Sequence, residues 1–490
     1  MLPLSVLLAG FARDVPELPV TALALDSRTV TPGAVFCAVR GHSGHGLDHV
    51  QQAIGRGASA VLWEPPAAAP LLPVPAIPIE RLGRQVSQLA SRLYGIPSHA
   101  LAVLGVTGTD GKTSCTHFLA QALSEPGRPA GLLGTLGYGL WGGPFENASH
   151  TTPDAIGVQQ RLAAFVEAGV RHAAMEVSSH ALDQGRVEAV HYACAILTHL
   201  SRDHLDYHGT AAAYAAAKMR LFAELDIGAA VLNLDDAFGR SLCTVARAPI
   251  HGYGLDVLDT EGLAGWVQGS EPVCDTDGLR LSVHTHLGAA ELASTLLGRF
   301  NAQNLLACLA ALLALGMPLD EAVGRLARSR TVPGRMERFG GGADRPLAVV
   351  DYAHTPNALQ SVLTALRAHT AGRLYCVFGC GGDRDAGKRP LMGAAAERLA
   401  DRVILTSDNP RSEDPLAILA DIRAGCAEPA RVQVEPERAA AIRQALAAAR
   451  PGDVVLIAGK GHEDYQIIGS ERRTYSDRAE VAALFGETSA

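Results

Sequence analysis

The chain of 490 residues is too long for a single hydrophobic core, and at about 150 residues per domain it reads as about three. Hydrophobic residues make up 48% and charged ones 19%, which excludes a disordered chain, and the net charge of -8 argues against a nucleic-acid-binding surface, where a basic patch or stripe is expected. Nine scattered cysteines, an odd number with no CxxC pair, suit the reduced thiols of a cytoplasmic protein better than a disulfide framework or a zinc site.

The opening MLPLSVLLAGFARD is apolar but has no basic start and no convincing cleavage site; it reads as a first helix, with a signal peptide as the lesser alternative. No uninterrupted run of about 18 apolar residues occurs anywhere, so no membrane span is expected. The proline-rich WEPPAAAPLLPVPAIPIE reads as loop and linker, followed by the helical pattern RLGRQVSQLASRLYGIPS. A strand-like run, ALAVLGVTG, then begins near residue 100, and the apolar runs HAAMEVSS, CAILTHL and AAVLNLD alternate with Ala/Leu-rich helical stretches such as AAAYAAAKMRLFAEL. That alternation predicts βαβ units and a mainly parallel sheet. A second break, SRTVPGRMERF, leads into PLAVVDYAH, RLYCVFGCGG, DRVILTSDNP and DVVLIAGKGHE, strands that run into loops rich in glycine or charge. The expected fold class is α/β in three domains. A smaller N-terminal α/β domain covers residues 1–98, a central P-loop-type domain with a mainly parallel sheet and helices covers 99–331, and a C-terminal Rossmann-like α/β domain covers 332–490. In open α/β sheets ligands bind at the carboxyl ends of the strands, and the motifs below fall there.

LAVLGVTGTDGKTSCTHFLAQAL is a strand, a Gly/Thr loop and a helix. Gly108 and Gly111 let backbone N–H groups turn in around phosphate oxygens, Lys112 offers a point charge to the outer phosphates, and the Thr113 hydroxyl can ligate Mg²⁺. The strict pattern GxxxxGK[ST] fails, because Gly105 lies one residue too far upstream. An ATP site is expected all the same. Downstream, Glu176, Ser178, Ser179 and His180 end one strand, and His199, Asp203, His204 and His208 follow the next. Near a triphosphate, a hard Mg²⁺ ion wants a few such ligands and water.

Only four of the 42 basic side chains are lysines: Lys112, Lys218, Lys388 and Lys460. A chain that writes arginine almost everywhere has kept an amine at Lys218. An amine that loses its proton can add CO₂ and become a carbamate, a metal-binding anion; a guanidinium stays protonated.

GTDGKTS resembles the GTNGKT(T/S) loop of the Mur ligases and folylpolyglutamate synthases, which join an amine to a carboxylate using ATP, and Asp110 stands where that family usually has Asn. The resemblance implies an ATP site at Gly108, Thr109, Asp110, Gly111, Lys112, Thr113 and Ser114. AAAKMRLF is similar to the family's lysine helix, which implies that Lys218 is carbamylated and holds Mg²⁺ together with Thr113, Glu176 and His204; Lys112, Lys218, Glu176 and His204 are then the catalytic set. LDSR and RGHSGHG resemble the segments that seat a uridine nucleotide in the diaminopimelate-adding branch, implying Leu25, Ser27, His42, Ser43 and Gly44. SHTTPDA and SSHALDQGR resemble its muramoyl-peptide site, implying Thr151, Thr152, Ser178, Gln184 and Arg186, with His150 where close relatives often carry Asn. NAQN, VPGRMERF and VDYAHTP are similar to the segments that meet adenine, ribose and nucleotide, implying Asn304, Arg335 and Asp351.

For the incoming amino acid, Arg389 and Arg411 suit a carboxylate gripped in bidentate fashion, and Asp408 and Glu463 suit an ammonium. DNPR with GKGHE resembles the diaminopimelate-adding type, which adds Asn409, Pro410 and Gly459 to that set. The implied substrates are ATP, meso-diaminopimelate and UDP-N-acetylmuramoyl-L-alanyl-D-glutamate, handled by a monomer in the cytoplasm with no nucleic-acid partner. The alternatives are the same ligase using L-lysine, a folylpolyglutamate-type ligase, a P-loop kinase or NTPase, and a non-catalytic scaffold that binds uridine nucleotides.

Overall fold

The computed structural model describes the chain except residues 42–43, 68–70, 149, 202 and 488–490. It divides into two compact units, one of Met1–Gln268, Thr285–Leu287 and Leu306–Ala322, the other of Gly269–His284, Gly288–Leu305 and Val323–Ala490.

The first unit holds two larger sheets and a two-stranded one, Leu2–Pro3 with Pro19–Val20. In the larger N-terminal one, Leu23–Ala24, Val35–Ala38, Ala60–Trp63 and Ala76–Pro78 pair in that order, every pair parallel. Alternation along its strands feeds two cores. Val35, Cys37, Ala60 and Leu62 pack with Leu4, Leu7, Leu8 and the apolar side of the helix Leu82–Leu93, while Phe36, Ala38, Val61 and Trp63 pack with Val50 and Ala53. The opening apolar run is thus a short helix, Leu4–Leu7, whose leucines are buried in the first of these cores. The proline-rich segment differs from the reading as linker alone: it contains the strand Ala76–Pro78, paired on one side to Val61–Trp63. An edge position tolerates Pro78, which has no N–H to offer an outer neighbour.

The central sheet of this unit runs in the order 265–269, 250–254, 230–233, 194–197, 102–107, 172–176, 131–134, 137–140. All these pairings are parallel except the last hairpin. Ala102–Thr107 lies between Cys194–Leu197 and His172–Glu176, so the chain leaves this strand toward both sides of the sheet. That is the topological switch point at which open α/β sheets form a crevice beyond the strand ends.

In the second unit the order is 337–340, 347–351, 454–458, 374–378, 402–405, 433–434, parallel but for the first strand. The apolar runs VVLIA and LYCVF are buried throughout, as strands covered on both faces must be. Asp351, Asp408 and Gly459 stand at or just beyond the carboxyl ends of three of these strands. A separate hairpin, Tyr465–Ile468 with Glu471–Thr474, follows the last of them.

Candidate active site

The strand Ala102–Thr107 runs into the helix Lys112–Leu123 through a loop with two glycines at positive φ, Gly108 at 147° and Gly111 at 83°. A Cβ on Gly108 would stand 1.8 Å from Thr198 Oγ1, so only glycine lets this loop lie against the next strand's end. The Thr198 hydroxyl in turn donates to the Asp110 carbonyl at 2.6 Å. The Asp110 carboxylate faces His199, with Nε2 at 3.4 Å, and that contact, ahead of the nearby lysines, holds it below the usual carboxylate range. The acid in this loop is therefore matched by an imidazole that comes from the next strand. Thr109 Oγ1 accepts from the Ser201 N–H at 2.8 Å and lies 3.2 Å from Tyr214 Oη.

Two lysine amines meet on this loop. Lys112 Nζ donates to the carbonyls of Gly108 and Thr109 at 2.9 and 2.8 Å, and Lys218 Nζ donates to the same Gly108 carbonyl at 2.8 Å. Lys218 is 1% exposed, on the helix Ala211–Ala223 that Thr210 caps, and lies over the Tyr214 ring at 4.7 Å. Burial first, and repulsion from Lys112 second, push its pKa down to about 6. Burial also lowers the pKa of Lys112. Tyr214, absent from the sequence-predicted set, was legible as the residue one turn before Lys218 on the same helix face.

Glu176 ends its strand fully buried, and burial raises its pKa above the ordinary carboxylate value. Thr135 donates to it from its N–H at 2.8 Å and its hydroxyl at 3.1 Å, and Thr113 adds a further hydrogen bond. Thr135 was also missed by the sequence reading; it follows a strand without any motif to mark it. His204, at a positive φ of 51°, starts the short helix Leu205–His208, and its ring stands edge-on to His180 at 4.9 Å. Among the described residues, no three His, Cys, Asp or Glu side chains converge on one point. The expected set of Thr113, Glu176, His204 and Lys218 includes only two of those types.

The residues expected at the muramoyl peptide form one connected network. Thr152 Oγ1 donates to the Glu176 carbonyl at 2.8 Å and accepts from the Ser178 N–H at 3.1 Å, while Ser178 caps the helix Ser179–Asp183. Arg186 Nη1 donates to the Thr152 carbonyl at 2.9 Å, and its Nε and Nη2 grip Gln184 Oε1 at 2.9 and 2.6 Å. The Thr151 hydroxyl lies 3.1 Å from the Thr135 hydroxyl, within hydrogen-bonding distance. A cavity of about 420 Å³ is lined by Lys112, Thr151, Thr152, Ser178, Arg186, His204 and Lys218. A second, of about 680 Å³, is lined by Leu25, Arg40, Arg161, Gln184 and Arg186, and His150 and Arg186 border both. Besides Arg186, Lys112 and Lys218 line the first cavity and Arg40 and Arg161 the second. Ser27 is buried and donates to Gln52 at 2.6 Å, and the Gly44 carbonyl accepts from the Gly41 N–H at 2.8 Å. His42 and Ser43 lie outside the described residues.

In the second unit, buried Asp351 accepts from the N–H groups of Met336 and Ala353, both at 2.8 Å, and burial raises its pKa. The Arg335 guanidinium lies 5.0 Å from the Tyr352 ring centre, and Asn304 Nδ2 donates to Asn301 Oδ1 at 3.1 Å. Arg389 departs from the expectation of a free carboxylate grip: it is buried, with Glu413 at 2.8 Å and Asp421 at 2.9 Å on its guanidinium. Arg411, at a φ of 53°, donates instead to the Gly382 carbonyl at 2.9 Å, and among the described residues no carboxylate pairs with it. Asp408, Asn409 and Glu463 converge, with Lys460 Nζ between them, next to Gly459; Pro410 leads on to Arg411. None of the nine cysteines forms a disulfide, and among the described residues no helix is long and apolar enough to cross a membrane.

Three family models match the chain in succession: the Mur ligase family catalytic domain over residues 19–94, the Mur ligase middle domain over 106–312, and the Mur ligase glutamate ligase domain over 334–461. A UDP-N-acetylmuramoyl-L-alanyl-D-glutamate--2,6-diaminopimelate ligase of Ectopseudomonas mendocina is 52% identical over 94% of this chain and 93% of its own. The Pseudomonas aeruginosa protein of that name is 50% identical over 95% of each. A solved structure of a ligase of that name shares 34% identity, covers 99% of both chains and superimposes with a TM-score of 0.79. Mycobacterium tuberculosis folylpolyglutamate synthase, complexed with ADP and AMPPCP, is 19% identical with a TM-score of 0.58 over 83% of this chain and 96% of its own, a likeness of fold.

Proposed function

The chain belongs to the Mur ligase family, and we propose that it joins an amine of meso-diaminopimelate to the glutamate γ-carboxylate of UDP-N-acetylmuramoyl-L-alanyl-D-glutamate, cleaving ATP to ADP and phosphate, in the synthesis of a peptidoglycan precursor. The observation that carries this reading is the meeting of Lys112 and Lys218 on one carbonyl, at the wall of a cavity that Arg186 also lines. A γ-carboxylate and a triphosphate are both anions; Lys112 and Arg186 bring positive charge to this wall, and Lys218, its pKa pushed down to about 6, brings an amine that can become a metal-binding carbamate. A carboxylate oxygen attacks the γ-phosphorus, the bond to the ADP oxygen breaks, and an acyl phosphate forms. The amine then adds to the acyl carbon, a proton is lost, and phosphate leaves with the oxygen that came from the carboxylate.

We assign residues 1–98 to the uridine nucleotide, 99–331 to ATP and the muramoyl peptide, and 332–490 to the amino acid. Within these, Leu25, Ser27, Gly44, Thr151, Thr152, Ser178, Gln184 and Arg186 hold the nucleotide peptide. Lys112 and its loop, with Asn304, Arg335 and Asp351, hold ATP. Thr113, Glu176, His204 and a carbamate on Lys218 would hold Mg²⁺, which supplies charge neutralisation for the phosphate oxygens. The donor set suits that ion, being mainly oxygen, and a buried amine with a pKa of about 6 is uncharged at neutral pH and open to CO₂. Arg411, free of any carboxylate among the described residues, favours a second substrate carboxylate, which meso-diaminopimelate has at its far end and L-lysine lacks. The substrates are those of a cytoplasmic enzyme.

The test is phosphate release by the purified protein with ATP, Mg²⁺ and the nucleotide peptide, comparing meso-diaminopimelate, L-lysine and no amino acid. Release that depends on diaminopimelate is the expected result. Release that depends on L-lysine would overturn the role of Arg411, and release with no amino acid would favour an NTPase.

A further inference from the structure

Lys460 is 0% exposed, yet its ammonium stands where the sequence predicts the substrate's ammonium to be met. Its three N–H donors are all engaged, by Asp408 Oδ1 at 3.4 Å, Asn409 Oδ1 at 3.1 Å and Glu463 Oε2 at 3.2 Å. Asn409 closes the ring: its Nδ2 donates to Glu463 Oε2 at 3.0 Å, and its Oδ1 also accepts from the Ile467 N–H at 3.0 Å. The two carboxylates keep partial exposure, 9% for the Asp408 side chain and 17% for Glu463, with the lysine sealed behind them. Their outer oxygens, Asp408 Oδ2 and Glu463 Oε1, are the ones the ammonium leaves over, the second with only the Tyr465 hydroxyl at 3.5 Å.

Asp408 and Glu463 bring two negative charges to this pocket, and Lys460 cancels one. One negative charge remains for a substrate ammonium, while Arg411, which donates to the Gly382 and Asn409 carbonyls and whose field reaches only the exposed Asp383 among nearby carboxylates described, offers one positive charge. A ligand end with one ammonium and one carboxylate matches this balance; an end with an ammonium alone does not. Resting on the ligase reading above, we propose that Lys460 is a specificity-determining positioning residue: it sets the charge of the amino-acid pocket so that a zwitterionic end is preferred over a cationic one. Lys460 acts through Asp408, Asn409 and Glu463 and does not itself touch the substrate. Removing its charge leaves two uncompensated carboxylates, which repel a substrate carboxylate and draw an isolated ammonium.

The experiment measures kcat and KM for meso-diaminopimelate and L-lysine in the wild type, K460M and K460M/D408N, with KM for ATP and the thermal midpoint of each. In K460M the KM for diaminopimelate should rise about tenfold or more and the diaminopimelate-to-lysine ratio of kcat/KM should fall by about tenfold or more, with KM for ATP within about twofold. K460M/D408N restores the net charge and should return the ratio to within about threefold of wild type. A uniform loss of activity with the ratio unchanged would reduce Lys460 to a structural prop and overturn the proposal. If K460M does not fold, the double variant decides alone: a retained preference for diaminopimelate supports the charge balance, and a lost one overturns it. A wild type that releases no phosphate with diaminopimelate sinks the ligase reading instead, whatever the variants do.

Discussion

Replacing Lys218 by arginine tests the most unusual chemistry assigned to this chain. Lys218 Nζ shares the Gly108 carbonyl with Lys112 Nζ, and burial plus that neighbour push its pKa down to about 6. At about pH 7.5 such an amine is mostly unprotonated, whereas an ordinary lysine is almost wholly protonated, so burial enriches the form that can react with CO₂. The sign is fixed: the reactive amine is present above about pH 6 and is lost as pH falls through that value. Lys218→Arg puts a permanent positive charge at this position and cannot form a carbamate, so the loss in kcat should be on the order of 10²–10³, the scale of removing one group that stabilises transition-state charge. The assay is phosphate release in CO₂-depleted buffer before and after bicarbonate is added. Wild-type activity should decline on depletion and recover, and the variant should stay flat. Wild-type turnover by the arginine variant, or indifference of the wild type to CO₂, would refute the reasoning.

The other predictions concern the phosphate loop and the helix behind it. Gly108→Ala puts a Cβ 1.8 Å from Thr198 Oγ1 and 3.1 Å from the His199 carbonyl at a φ of +147°, so ATP affinity measured by calorimetry should fall by about tenfold or more; unaltered affinity would contradict the loop's role. His117 lies buried on the helix Lys112–Leu123 with neither ring nitrogen hydrogen-bonded among the described residues, edge-on to Trp141 at 5.6 Å, and burial lowers its pKa to about 4 from 6.5. The unfolded chain therefore binds a proton first as pH falls. The stability that the neutral ring contributes is complete above about pH 6.5 and is lost progressively toward pH 4. His117→Phe should remove about 2 kcal/mol of the stability lost between pH 7 and pH 4.5, read from urea midpoints, and an identical pH dependence in both proteins would count against it.

Much of this was legible in the sequence because strands covered on both faces write themselves as apolar runs, and their carboxyl ends are marked by glycine or charge. VLGVT, HAAME and VVLIA each became a strand at the stated place, and Gly108, Lys112 and Lys218 were brought together from segments a hundred residues apart. What the sequence could not reveal was which charges are already spent inside the protein. Arg389 and Arg411 look alike as letters, yet one is held between Glu413 and Asp421 and the other, among the described residues, hydrogen-bonds to carbonyls. Asp408 and Glu463 looked free for a substrate, and the amine of Lys460 proved to lie between them. Thr135 carried no motif because its contribution to Glu176 includes a backbone N–H, which any residue possesses. The strand Ala76–Pro78 was hidden by prolines that an edge position tolerates.

The central claim is that the carboxylate is activated by phosphoryl transfer before the amine attacks. The most direct measurement labels the γ-carboxylate of the glutamate with ¹⁸O and analyses the released phosphate by mass spectrometry after turnover with ATP and meso-diaminopimelate. An acyl phosphate requires one carboxylate oxygen to leave with each phosphate, so singly labelled phosphate is the predicted result. Unlabelled phosphate, formed while the amide product accumulates, would contradict the account.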